Sequence, residues 1–234
     1  MTTTVRAPII GITTPARQTK WANWDLHAIV LPTTYPKMIR KCGGNPLLIP
    51  PGGDVSILDC LDALVVAGGP DIDPELYGQV AGEFSDDIYP EQDESEIALI
   101  KGAIEREIPL LGVCRGFQMM CILAGGSIHQ HLPKTQGFEN HGGWNGVVSE
   151  HGVEVVEGSH LCKILGKSVT ANSTHHQGVS DAGSLTISGY SSHDGLIEAV
   201  EMPNHKFCIG VQWHPERIGH HELYKALIDA ARSS

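Results

Sequence analysis

The chain has 234 residues, 41% of them hydrophobic, a formal net charge of −11, six cysteines and thirteen histidines. That length supports one sizeable core, and the composition excludes a disordered, collagenous or disulfide-scaffold chain. The acidic balance argues against nucleic-acid and anionic-membrane partners, which require a basic face.

Residues 1–8 lack the apolar stretch of a secretory signal, and no run of about 18 apolar residues occurs anywhere. A cytoplasmic, reducing compartment is therefore expected. The cysteines, none of them in a C-x-x-C pair, are expected as free thiols and mostly as buried fillers. Residues 8–12 read as a buried strand, 33–41 as a helix stopped by Gly43 and Gly44, and 46–50 as a second strand. Residues 61–67 form a strand that runs into the turn Gly68-Gly69-Pro70. The acidic run from Asp86 through Asp93 and Glu96 reads as a solvated loop leading into a helix over 91–107, with Ile97, Ile100 and Ile104 on one face. Next come a strand at 109–113 and a helix at 117–124, halted by Gly125-Gly126.

This strand–helix rhythm predicts a parallel sheet covered by helices on both faces. The second half differs: 147–156, 185–188, 196–201 and 207–211 are strands with few helices between them, and a helix over 220–231 closes the chain. Antiparallel additions to the same sheet are expected. With no linker or repeat in evidence, 1–234 reads as one α/β domain.

The segment Gly112-Val-Cys114-Arg-Gly116 joins a predicted strand to a predicted helix. Small residues two before and two after a nucleophile permit the tight elbow that leaves its side chain standing above a sheet end. The N-terminus of the adjoining helix favours negative charge there. Taken alone, the pattern is also what a cysteine filling a strand end would give. A base for Cys114 comes late in the chain, in Val211-Gln-Trp-His214-Pro-Glu216. Pro215 biases His214 toward an extended conformation, in which His214 and Glu216 face the same side and the carboxylate orients the ring. An isolated H-P-E would otherwise be a surface histidine beside a helix-capping glutamate. A tetrahedral intermediate needs N–H donors; the candidates are Arg115, directly after the cysteine, and the Gly68-Gly69 turn.

Together these residues resemble a known family. Residues 111–118 (LGVCRGFQ) and 124–131 (AGGSIHQH) look like class I glutamine amidotransferase-like hydrolases, and within them like the γ-glutamyl-γ-aminobutyrate hydrolase family. Residues 68–74 (GGPDIDP), 172–178 (NSTHHQG) and 194–199 (DGLIEA), leading to 210–216 (GVQWHPE), agree in order, as does the opening 8–13 (PIIGIT). The resemblance implies a flavodoxin-like three-layer α/β sandwich with a mostly parallel central sheet. It also implies a Cys114–His214–Glu216 triad that hydrolyses a small γ-glutamyl amide through a glutamyl thioester. Gln118, His175 and His176 match positions near the bound glutamyl group. No cofactor is implied, the partner is a small γ-glutamyl substrate, and a homodimer is compatible. One departure stands out: the family usually has Arg-Asp where this chain has Gln92-Asp93, so a cation is expected to be missing at the site's rim. The segment 138–146 reads as a flap without an assigned role.

The competing readings are a glutaminase subunit feeding ammonia to a separate synthetase, and a non-catalytic binding protein on an enzyme scaffold. No synthetase module is fused here, and retention of all three triad residues argues against the second. Among the histidines, His129/His131, His175/His176 and His220/His221 lack ligand spacing for zinc, so no metal is expected.

Overall fold

The computed structural model describes residues 6–138, 140–143 and 147–233. In chain order it contains β1 (Ile9–Thr13), β2 (Ala16–Trp21), β3 (Trp24–Ile29), α1 (Thr34–Lys41), β4 (Asn45–Ile49), β5 (Ala63–Val66), α2 (Pro90–Glu105), β6 (Leu110–Val113) and α3 (Arg115–Leu123). Then come β7 (Ser127–His129), β8 (Ser149–Val155), α4 (His160–Leu165), β9 (Ser168–Ser173), β10 (Gly178–Asp181), β11 (Thr186–Ser191), β12 (Ile197–Glu201), β13 (Cys208–Val211), α5 (Pro215–Ile218) and α6 (His221–Arg232).

The main sheet runs β4-β1-β5-β6-β13-β12-β11-β8-β9, with β10 pairing β12 and β7. From β4 to β13 the neighbours are parallel; from β12 outward they are antiparallel. The strands of the parallel part are short apolar runs because helices cover both faces. Along β5 the alternation divides the core: Ala63 and Val65 join Ile10, Ile39, Leu227 and Ile228 under α1 and α6, while Leu64 and Val66 join Ile100, Phe117 and Met120 under α2 and α3. This is the expected three-layer α/β arrangement.

Strand β13 differs from the expectation for the second half. It is parallel to β6, with Val113 opposite Val211. Hydrophobic pattern reports burial and not strand direction, so the pairing could not be read from it. Its consequence is local: the C-terminal ends of β6 and β13 lie side by side, so the segments leaving these two strands meet at one edge of the sheet. Open α/β sheets place their sites at that edge. The hairpin β2–β3 was also unforeseen. It forms a separate two-stranded sheet and keeps Trp21, Trp24 and Leu26 exposed, so it carries no buried-strand signature.

Candidate active site

Cys114 links β6 to α3 with φ 53° and ψ −106°. A non-glycine residue held there costs on the order of 1–3 kcal/mol, which the surrounding packing must offset. The flanking glycines make the turn possible. A Cβ on Gly116 would lie 2.2 Å from the Val66 carbonyl oxygen of the neighbouring strand, and one on Gly112 would lie 2.5 Å from Met120 Sδ and 2.9 Å from the Gly116 oxygen. The elbow is pinned to β13, since the Cys114 N–H donates to the Val211 carbonyl at 2.8 Å.

Three residues beyond Val211, His214 occupies the N-cap position of α5. Pro215 fits the first helical position, so the chain turns at once into helix instead of continuing extended as expected, and Glu216 lies in the first turn. The two side chains still meet, with His214 Nδ1 2.8 Å from Glu216 Oε1. Because Nδ1 is taken by the carboxylate, Nε2 is the nitrogen left for the hydrogen bond between the ring and the Cys114 sulfur. Burial alone would depress the ring. The adjacent sulfur, and after it Glu216, more than offset burial and raise the His214 pKa to about 9.

Several supports for this pair were not evident in the sequence. The Asn172 side chain, at the end of β9, accepts the backbone N–H of His214 at 3.0 Å. The Tyr35 hydroxyl, from α1, accepts the Gly68 N–H at 2.9 Å and stands 3.4 Å from His214 Nδ1. Gln212 donates to the Cys114 sulfur at 3.6 Å while its own oxygen accepts from Gln118 at 3.1 Å. Asn172 and Gln212 lie within motifs that carry the family resemblance, without a role assigned to either, and α1 has no motif that would flag Tyr35.

The Gly68-Gly69 turn lies beside the elbow, as expected from the sequence. A Cβ on Gly68 would fall 2.7 Å from the His214 ring. The Gly68 N–H is occupied by Tyr35, whereas Gly69 is exposed and lines both cavities that open beside Cys114. One cavity, of about 240 Å³, is bounded by Asp71, Asp86, Asp87, Gln118 and His176. The other, of about 570 Å³, carries Arg17, Tyr35, His214 and Arg217 with the apolar Val30 and Val148.

Of the pocket residues expected from the sequence, Gln118 spends its amide N–H groups on the Gln177 carbonyl and on Gln212. His176 lies 2.8 Å from Asp71. His175 lines the smaller cavity, yet its Nδ1 donates to the Gln177 carbonyl and its Nε2 faces Ser173, so its polar atoms turn into the protein. Burial, followed by the charge of neighbouring rings, holds it well below the ordinary imidazole value.

Two expectations need correction. Asp93 and Glu96 are not part of a solvated helix start: each is 2% exposed, and together they bind the buried Arg115 guanidinium. The partner lies on another helix, out of reach of a local reading of charge. Nor does Gln92 leave the rim without a cation. It is itself buried and accepts from Arg17 of β2 at 3.1 Å, so the hairpin brings an arginine to that place. The flap segment falls partly outside the described residues. Of its described part, His141 is buried beside Asp194.

A cysteine on a strained elbow, a buried histidine–glutamate pair, and a parallel sheet extended by antiparallel strands define a class I glutamine amidotransferase-like α/β protein. Solved structures share that fold: a glutamine amidotransferase from Thermotoga maritima aligns at TM-score 0.65 and 16% identity, covering 98% of this chain and 100% of that one. The family model for Peptidase C26 matches residues 8–216, and the chain belongs to that family. The Mycobacterium tuberculosis protein Rv2859c is 38% identical over 230 residues, which is 96% of this chain and 75% of that protein. The γ-glutamyl-γ-aminobutyrate hydrolase PuuD of Escherichia coli K12 is 34% identical over 215 residues, 88% of this chain and 80% of the relative. Among the described residues no helix is long and apolar enough to cross a membrane.

Proposed function

We propose that the chain hydrolyses the γ-glutamyl amide bond of a small γ-glutamyl amine, such as γ-glutamyl-γ-aminobutyrate, releasing glutamate and the amine. The observation that carries this reading is Cys114, standing on its elbow between two cavities with a glutamate-oriented histidine on its sulfur. In this scheme the sulfur attacks the amide carbon, and the N–H groups of Gly69 and Arg115 hold the oxyanion of the tetrahedral intermediate. Collapse breaks the C–N bond, and the departing nitrogen takes its proton from His214. Water then gives a proton back to His214 as it attacks the thioester, which frees glutamate and restores the sulfur.

The two cavities support a division of the substrate. The glutamyl ammonium suits the carboxylates Asp71 and Asp86 of the smaller one, with Asp87 on the border between the two. An amine that carries its own carboxylate suits the larger one, where Arg17 and Arg217 supply positive charge. The relative PuuD, named for an aminobutyrate conjugate, points the same way.

Glutamate release from a panel of γ-glutamyl amides tests the proposal. The expected order is γ-glutamyl-γ-aminobutyrate above γ-glutamyl-putrescine and above glutamine, with Cys114→Ala inactive on all three. Cleavage of glutamine alone, and only when a synthetase chain is added, would sink it, as would substantial turnover by the alanine variant.

A further inference from the structure

Behind the cavity wall lies a buried polar cluster that the proposed reaction does not use. Glu198, on β12, is wholly buried, and neither of its carboxylate oxygens has a hydrogen-bond partner among the described residues. A carboxylate in that position is costly unless a cation, an N–H donor or a proton compensates it. Three histidines from different segments converge on its Oε1: His151 Nε2 at 3.2 Å, His141 Nδ1 at 3.5 Å and His175 Nε2 at 3.8 Å.

The tautomers make the arrangement informative. His141 Nε2 is 2.7 Å from Asp194 Oδ2, so that nitrogen carries the proton and Nδ1 presents a lone pair toward Glu198. His175 Nδ1 donates to the Gln177 carbonyl at 2.9 Å, which leaves Nε2 as its lone-pair nitrogen. The Ser173 hydroxyl, 3.0 Å from that nitrogen, has one proton, and the His141 carbonyl beside it can only accept, so the serine donates there. The His141 lone pair and the Glu198 carboxylate thus face one another, with His175 Nε2 at their side; His151 stands close enough to donate to Oε1, while His141 Nδ1 and Glu198 Oε2 keep no hydrogen-bond partner among the described residues, as donors to a cation would. Each ring's remaining N–H goes to a carboxylate or a backbone carbonyl, which is the outer support that metal-binding histidines use.

We propose that His141 Nδ1, His175 Nε2 and Glu198 Oε1 form a binding site for a divalent transition-metal ion of zinc's kind. Glu198 Oε1 is 3.5 Å from His141 Nδ1 and 3.8 Å from His175 Nε2, and the three residues each offer a donor atom within 4.8 Å of the others'. Donors around tetrahedral zinc stand about 3.3 Å apart, given bonds of about 2.0–2.1 Å, so the site closes by small side-chain adjustments. Two imidazoles and a carboxylate are a donor set that zinc accepts and that calcium and magnesium do not favour. Asp194 and Gln177 orient the rings, and the burial of the cluster makes the role structural. The ion ties the segment bearing His141 to the wall containing His175. That segment is already laid so close that a Cβ on Gly143 would lie 2.3 Å from the His175 backbone.

The test is metal content of the whole chain. Protein stripped with EDTA is loaded with Zn²⁺ or Co²⁺, passed through gel filtration and measured by mass spectrometry, with the Co²⁺ form also read by visible absorption. One ion per chain is expected, together with the d–d bands of a low-coordinate Co²⁺ site and a rise in Tm on zinc addition. Glu198→Gln, nearly the same in volume, and His141→Ala should lose the retained ion, and Asp194→Asn should weaken binding by about 10–100-fold. Circular dichroism identifies the folded variants. Wild-type protein that retains no ion, or a folded Glu198→Gln that retains it as well as wild type, overturns the proposal. In the first case a proton on Glu198 holds the cluster together, and in the second the ion sits on surface histidines.

Discussion

Replacing Cys114 by alanine is expected to lower the pKa of His214, and the fall reports how much of the ring's positive charge the sulfur holds. The ring stands at about 9 against an ordinary 6.5. That difference corresponds to about 3 kcal/mol in favour of the charged form, at about 1.4 kcal/mol for each tenfold change. Burial opposes the charge, so the favourable contacts together exceed that figure; the sulfur comes first among them and Glu216 second. Without the sulfur, burial is opposed mainly by Glu216, and the imidazolium gives up its proton at lower pH. An opposite charge in contact moves a pKa by about 1–3, so a drop of that size is expected in Cys114→Ala. Nitrogen-15 NMR of the imidazole side chains, titrated from mildly acidic to alkaline pH and assigned with His214→Asn, gives both values. A His214 that still titrates at about 9 in the alanine variant would refute the reasoning, because the carboxylate alone would then be holding the charge.

Gly116→Ala should cost at least about 1–3 kcal/mol, read as a lower urea midpoint, because its Cβ would lie 2.2 Å from a backbone oxygen that cannot move without shifting β5; an unchanged midpoint would mean that α3 retreats freely. Arg115→Met should destabilise by about 3–5 kcal/mol in thermal or denaturant melts, because Asp93 and Glu96 are left buried without their cation. A companion Arg115→Met/Asp93→Asn/Glu96→Gln variant should recover much of that loss, and no recovery would place the effect in packing. Iodoacetamide at neutral pH should modify Cys114 well before Cys121 and Cys208, whose thiols burial pushes up, the latter to about 12. Peptide mapping that finds all three modified at one rate would count against an activated sulfur.

The features that the sequence disclosed are written in contiguous residues. The elbow is legible because its steric conditions lie within Gly112 to Gly116, and the histidine–glutamate pair because its members stand only two positions apart. The parallel strands are legible because each is a short apolar run between turn residues. The features that escaped are assembled across distance. Asp93 and Glu96 looked like a solvated helix start because their partner is on α3. Tyr35 acts through a single hydroxyl on a helix without a motif. The cluster around Glu198 draws its histidines from segments that the sheet brings together only after β8, β9 and β12 have paired through β11. Spacing rules for metal ligands examine neighbours along the chain, and these ligands are not neighbours.

The overall charge of −11 is a poor guide to the field at Cys114, and Arg115 shows why. It directly succeeds Cys114, a position from which a cation could meet negative charge developing in the proposed reaction. The guanidinium, however, is 1% exposed and divided between Asp93 and Glu96. One positive charge against two carboxylates leaves no surplus for an oxyanion. In the proposed reaction Arg115 therefore acts through its backbone N–H at the start of α3, and its side chain acts by fixing that helix end against α2. In the same proposal the positive charge that faces substrate comes from elsewhere. Arg17 lies on a hairpin outside the main sheet, bonded to Gln92 and stacked on Tyr89 at 3.7 Å. Arg217 comes directly after Glu216 on α5 and is partly open to the larger cavity. Selectivity for the departing amine should therefore depend on these two arginines: neutralising Arg17 raises KM for a carboxylate-bearing amine conjugate while glutamine turnover stays as it was, whereas neutralising Arg217, 3.9 Å from Glu216 Oε1, lowers turnover of both substrates as well.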